Sequence, residues 1–232
     1  MPVSPRSGGQ RPALVLTLPA AAPQAAVLIL HGGRAEGPEP PPAWNLPGAR
    51  MRPFAAGIAC ATAGHAVVGR VRYRYRGWNG ARADAAQDAL RALDELAEAA
   101  GSLPVVLVGH SMGGRAALRA AEHPLVRAVV GLAPWCPAAE PVDQLAGRRI
   151  VLLHGDRDRT TDPRDSAGYA GRARAAGAEA CALTICGGDH AMIRRARTWH
   201  GLTARTVSGL LGFAPLPDEV AHALETGEPR SL

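Results

Sequence analysis

The sequence predicts an α/β fold built on a mostly parallel sheet with helices on both faces. Three observations carry that reading. Short runs of aliphatic and β-branched residues alternate with longer Ala-rich stretches of helical periodicity, the pattern of right-handed βαβ crossovers. Residues 104–108 form an almost continuous apolar run, as a strand covered on both faces requires. Of the 232 residues, 47% are hydrophobic and 20% charged, enough for a substantial core.

The elements follow in order. Residues 13–18 and 26–31 are expected as two strands joined through Pro23, forming an antiparallel edge. Arg6 and Arg11 ahead of the apolar 13–18, with Pro19 and Ala20 after it, also fit a secretory leader. The strand is preferred, because cleavage near Ala22 or Ala26 would abut or cut a segment the sheet needs. Residues 65–73 read as a strand. It sets Arg70, Arg72, Arg74 and Arg76 on one face and Val71, Tyr73 and Tyr75 on the other. Residues 81–100 read as a helix with a stripe of Ala86, Ala89, Leu90, Leu93, Leu96 and Ala97, ended by Gly101.

After the apolar strand, a helix spans 111–122 and stops at Pro124. Strands follow at 126–132 and 150–153, then a helix at 163–176 capped by Gly177. A last strand covers 180–186, and 190–211 is mostly helix, stopped at Gly212. Residues 36–52 are rich in Pro and Gly and too long for an ordinary connection, which points to a functional loop. Residues 1–212 read as a single domain, and Pro215, Pro217 and Gly227 suggest a loose tail over 213–232.

Composition removes several function classes. All 26 basic residues are Arg, and with 20 acids the formal charge is +6. That balance permits anionic partners. The arginines are scattered, however, and no zinc-finger, RNA-recognition or helix-turn-helix pattern is present, so nucleic-acid binding is not expected. The row from Arg70 to Arg76 reads first as a solvated face, with attraction of anionic substrates as the alternative. No apolar run reaches the ~18 residues of a membrane span. Cys60, Cys136, Cys181 and Cys186 form no CxxC pair. No disulfide framework is expected, and a cytoplasmic setting fits, with secretion the alternative. No metal motif such as H-E-x-x-H occurs.

The strongest chemical signal is Gly109-His110-Ser111-Met112-Gly113, a G-x-S-x-G directly after the apolar strand and directly before a helix. Such a turn exposes the Ser111 hydroxyl, and the helix N-terminus places partial positive charge beside a developing oxyanion. A serine needs a base. His190 fits, presented after the last strand by Gly187, Gly188 and Asp189. The acid that orients it is Asp158, just past the strand 150–153, with Asp156 as the rival and Asp162 as a weaker one. Two backbone donors are needed for the oxyanion: Met112 N–H, and Gly33 N–H from the loop His31-Gly32-Gly33-Arg34. His31 reads as a residue that steadies that loop, and His110 receives no proton-transfer role. Trp44, Trp78 and Trp135 are candidates to line an acyl pocket, with core or lid packing as the competing reading of each.

These pieces, between residues 26 and 190, resemble those of α/β-hydrolases: the His31-Gly32-Gly33 loop, the serine elbow, the His154-Gly155-x-x-Asp158 segment and Gly188-Asp189-His190. The chain is most similar to small, cap-poor members like the dienelactone hydrolases. The resemblance implies about eight strands, a minimal cap, and hydrolysis through an acyl-enzyme on Ser111 without metal or cofactor. Dienelactone hydrolases often carry Cys as nucleophile where this elbow has Ser111. Cleavage of a small-molecule carboxylic ester or thioester is therefore the expected activity. The alternatives are acyl transfer or perhydrolysis with the same triad, or a non-catalytic relative that binds a ligand or partner. Residues 133–149 are too few for a separate cap domain.

Overall fold

The computed structural model describes residues 11–16 and 22–232. Its sheet has eight strands: β1 (Leu14–Val15), β2 (Ala25–Leu30), β3 (Ala66–Val71), β4 (Val105–His110), β5 (Val126–Leu132), β6 (Arg149–Gly155), β7 (Glu179–Ile185) and β8 (Arg230–Ser231). Their spatial order is β1-β3-β2-β4-β5-β6-β7-β8. Every neighbouring pair is parallel except β1 and β3. The antiparallel edge therefore exists, but its partner differs from the expected one. β1 pairs with β3, Leu14 opposite Val71, while β2 lies between β3 and β4. All six residues of β2 are buried, and a strand with no polar face belongs inside a parallel sheet. Residues 17 and 18 of the expected first strand, and the leader signals Arg6, Pro19 and Ala20, lie outside the described residues.

Two helical layers cover the sheet. On one face lie α3 (Asp84–Ala100), α4 (Met112–Arg119) and α5 (Pro163–Ala175), packed on Leu28, Leu107, Val129 and Leu152. On the other lie α2 (Arg52–Ala61), α6 (Ala196–Leu210) and α7 (Asp218–Thr226), packed on Val27, Val108, Val130 and Leu153. Successive strand residues thus feed opposite cores, which is why both faces of the central strands are apolar. The short α1 (Leu46–Arg50) precedes α2 inside the Pro-rich loop.

Residues 213–232, expected as a loose tail, instead form α7 and β8. Val220, Ala223 and Leu224 are buried, and β8 pairs in parallel with β7. The residues that suggested looseness mark the ends of the helix. Pro217 precedes it, and Gly227, at φ 74°, is its left-handed stop. The stretch between β5 and β6 holds only a helical turn at Asp143–Leu145, so that stretch forms no cap domain. No helix among the described residues is long and apolar enough to cross a membrane. All four cysteines are free, and burial pushes the Cys136 and Cys181 thiols up to about 12.

Candidate active site

Ser111 stands between β4 and α4 at φ 54° and ψ −119°, a backbone conformation that L-residues rarely adopt and that costs roughly 1–3 kcal/mol. Close backbone approach enforces it. A Cβ on Gly109 would lie 2.2 Å from the Gly113 carbonyl oxygen, and one on Gly113 would lie 2.5 Å from the carbonyl oxygens of Leu30 and His31. Both flanking glycines are therefore sterically required. The turn is also pinned by hydrogen bonds: Ser111 N–H donates to Leu132 at 3.0 Å, and Trp135 N–H donates to the Ser111 carbonyl at 3.1 Å.

His190 reaches the same point from the end of β7. The loops after β6 and β7 touch, so that a Cβ on Gly155 would lie 2.4 Å from the Gly188 carbonyl oxygen. Asp189 steadies the turn beyond, accepting from Ile193 N–H at 3.0 Å and Arg194 N–H at 2.9 Å. His190 Nε2 lies 3.1 Å from Ser111 Oγ, and His190 Nδ1 lies 2.7 Å from Asp158 Oδ2. Asp158 Oδ1 accepts from the amides of Thr160 and Thr161 at 2.7 and 3.0 Å. Burial alone would raise the Asp158 carboxyl. Hydrogen bonds from His154, His190, Thr161 and Thr160 more than offset it and hold the group well below the usual carboxylate range.

The structure separates the rival acids. Asp156 accepts from Gly187 N–H at 2.6 Å and holds the turn before His190. Asp162 caps α5, accepting from Arg164 N–H at 2.8 Å. Residues 27–227 match the model of the Alpha/beta hydrolase family.

The chain belongs to the alpha/beta hydrolase family.

Hydrolase is the class which that membership supports. No curated protein matches the sequence. Solved structures share the fold. An esterase/lipase from an uncultured bacterium is 15% identical with a TM-score of 0.62, over 82% of this chain and 78% of its own. Est1E from Butyrivibrio proteoclasticus, with ferulic acid bound, is 14% identical with a TM-score of 0.63, over 86% and 95%. A serine hydrolase homologue from Coxiella burnetii is 15% identical with a TM-score of 0.59, over 83% and 89%.

Three residues of this alpha/beta hydrolase that sequence reasoning left without a role complete the site. His154 Nε2 lies 3.1 Å from Asp158 Oδ2, and its Nδ1 lies 2.7 Å from Ser166 Oγ. Thr161 Oγ1 donates to the same Asp158 oxygen at 3.0 Å. His110 Nε2 lies 2.9 Å from the His190 carbonyl oxygen. A carbonyl only accepts, so His110 carries its proton on Nε2. Burial lowers the His110 imidazole to about 3, helped by the nearby charge of His190. A neutral ring therefore sits 4.9 Å from the His190 ring. Only adjacency to Ser111 hinted at this. The bond itself spans 80 residues.

The His31-Gly32-Gly33 loop abuts the elbow. A Cβ on Gly32 would lie 3.4 Å from Ser111 Cβ, and one on Gly33 would lie 2.4 Å from the Met112 side chain. His31 donates from Nδ1 to the Gly32 carbonyl at 2.7 Å and accepts from Asn45 Nδ2 at 2.9 Å. Burial lowers its imidazole; the bond to Gly32 opposes this, and the charge of Arg70 adds to it.

The tryptophans divide. Trp78 is 3% exposed. The Arg115 guanidinium lies 4.0 Å from its ring centre and 4.4 Å from that of Trp135. Arg115 in turn pairs with the buried Glu140. Packing accounts for Trp78 and for the ring of Trp135. Trp44 is 74% exposed and lines an open cleft of about 960 Å³ between residues 40–52 and β3.

Proposed function

We propose that this chain is a serine hydrolase that cleaves a carboxylic ester or thioester through an acyl-enzyme on Ser111. The observation that carries the reading is the continuous relay Asp158–His190–Ser111, at 2.7 and 3.1 Å. Ionised Asp158 accepts a hydrogen bond from His190 Nδ1–H and so fixes the tautomer, which leaves Nε2 bare toward the Ser111 hydroxyl. Ser111 Oγ attacks the carbonyl carbon as its proton passes to Nε2. His190 becomes an imidazolium held by Asp158, with neutral His110 adding no opposing charge beside it.

The oxyanion forms at the start of α4, where Met112 N–H and the helix dipole stabilise it. Gly33 N–H is the second donor. The next amide in that loop, Arg34 N–H, already donates to the Arg76 carbonyl at 3.1 Å. His190 then returns the proton to the departing alcohol or thiol. Water attacks the acyl-enzyme by the same route and releases the acid. Each step moves only a proton or an acyl group, for which these side chains suffice.

Fluorophosphonate labelling with mapping of the modified peptide tests the assignment. Labelling at Ser111 that vanishes in a folded Ser111→Ala variant, with turnover of aryl esters down by at least about 10⁴-fold, is the expected result. Absence of labelling in the folded protein overturns it and favours the ligand-binding alternative.

A further inference from the structure

We propose that the arginine-lined cleft walled by His31, next to the glycine that packs on Ser111, holds the phosphate-bearing end of the substrate. The inference rests on the serine-hydrolase reading and names the class of ester or thioester it acts on. Six arginines line the cleft, Arg11, Arg52, Arg70, Arg72, Arg74 and Arg91, and no Asp or Glu does. Arg74 and Arg91 face buried Asp88, at 2.6 and 3.7 Å. For the other four, no carboxylate among the described residues lies within ion-pair distance.

Alternating arginines on one strand are ordinarily a solvated face. This set is different in origin. Arg70 and Arg72 belong to β3 and the residues just after it, Arg52 opens α2, and Arg11 precedes β1. Three separate segments deliver positive charge to one concavity, and nothing negative lines it. The cleft also adjoins the chemistry. Its inner wall includes His31, which feels the charge of Arg70 and precedes the glycine packed against Ser111.

Its size, about 960 Å³, suits a small-molecule ligand. A lone carboxylate has two oxygens, which one guanidinium fork satisfies. Four guanidinium groups without carboxylate partners suit a group with more oxygens and roughly two negative charges, which is a phosphate.

The test compares thioesters with one acyl chain and different leaving groups: butyryl-coenzyme A, which carries phosphates, and butyryl-pantetheine, which carries none. We expect kcat/KM for the phosphorylated member to be higher by at least about tenfold at low ionic strength, with the gap narrowing as salt rises. In R70Q/R72Q, with its unfolding midpoint retained, the ratio should fall to within about twofold. A ratio near one in the unaltered protein, or a ratio the double variant keeps, overturns the proposal. An aryl monoester of suberic acid against the aryl octanoate forms the second arm. A preference for the carboxylate there, with none for the phosphates, also overturns it and gives the cleft to a carboxylate.

Calorimetric titration of Ser111→Ala with pyrophosphate reads the cleft without turnover. Binding that disappears when R70Q/R72Q is added supports the cleft even if fluorophosphonate fails to label Ser111 in the folded protein, the result that removes the serine-hydrolase reading. No binding to Ser111→Ala overturns the cleft.

Discussion

On the elbow side of the site, Asp158 has no exposed side-chain surface, His110 is 2% exposed, and both Asp158 carboxylate oxygens have donors. On the cleft side, Trp44 and Leu46 are 74% and 64% exposed, and arginines line a wide opening. The two regions meet at Gly32. On the proposed function, their contrast follows from what each would do. A proton relay works only when its groups are fixed and shielded before the reaction begins, because reorganisation during the step would raise the barrier. Recognition of a charged, hydrated group tolerates open geometry, since long-range attraction does part of the work.

The largest effect that tests this contrast lies at the relay's base. In Asp158→Asn, the amide nitrogen can only donate, yet the site offers donors from His190, His154, Thr161 and two backbone amides. His190 would be driven to the tautomer that protonates Nε2 and could no longer accept from Ser111. We expect kcat on a simple aryl ester to fall by about 10³–10⁴-fold. A loss smaller than tenfold would show that the relay is less committed than its geometry indicates, and the contrast would fail.

An intermediate effect is expected at His110. Its imidazole is lowered to about 3 from an ordinary 6.5, chiefly by burial. With the folded value below the unfolded one, stability is full above pH 6.5 and is lost as pH falls toward 3, because the unfolded chain takes the proton first. The slope approaches ~1.4 kcal/mol per pH unit. His110→Gln, which keeps a donor near the Nε2 position, should flatten the acid side of the unfolding-midpoint curve while retaining kcat. His110→Leu should flatten it too, but lower kcat about tenfold through loss of the bond to the His190 carbonyl. Equal kcat in the two variants would show that the bond does not position the base.

What the sequence made legible tracks this division. The elbow is written in five consecutive residues, and its glycines are required by contacts with backbone that any such turn would make. The central strands were legible because burial on both faces leaves a continuous apolar run. Asp158 stood among three nearby acids because spacing does not say which way a carboxylate points. Asp162, directly before Pro163, carried a helix-start signal that favoured capping. The partner of β1 and the bond from His110 to residue 190 depend on pairings far apart in sequence, which no local pattern encodes. The tail misled because Pro217 and Gly227 serve equally as breakers and as helix boundaries. The cleft was only half visible. The row from Arg70 to Arg76 was plain, but the convergence of Arg70 and Arg72 with Arg11 and Arg52 is a property of the fold.

The smallest effect belongs to Trp44. Its ring is 74% exposed, so Trp44→Ala removes little buried surface and should change stability by no more than about 0.5 kcal/mol. An exposed tryptophan at a cleft mouth can still cover a bound ligand. The expectation is therefore a several-fold rise in KM with kcat preserved, measured on the substrate that the cleft prefers. That split would mark Trp44 as a binding contact made equally in ground and transition states. A drop in unfolding midpoint as large as a core truncation would mean that the 40–46 segment is packed as firmly as the elbow. The open and fixed walls would then be one rigid site, and specificity would have to be sought in its shape instead of its charge.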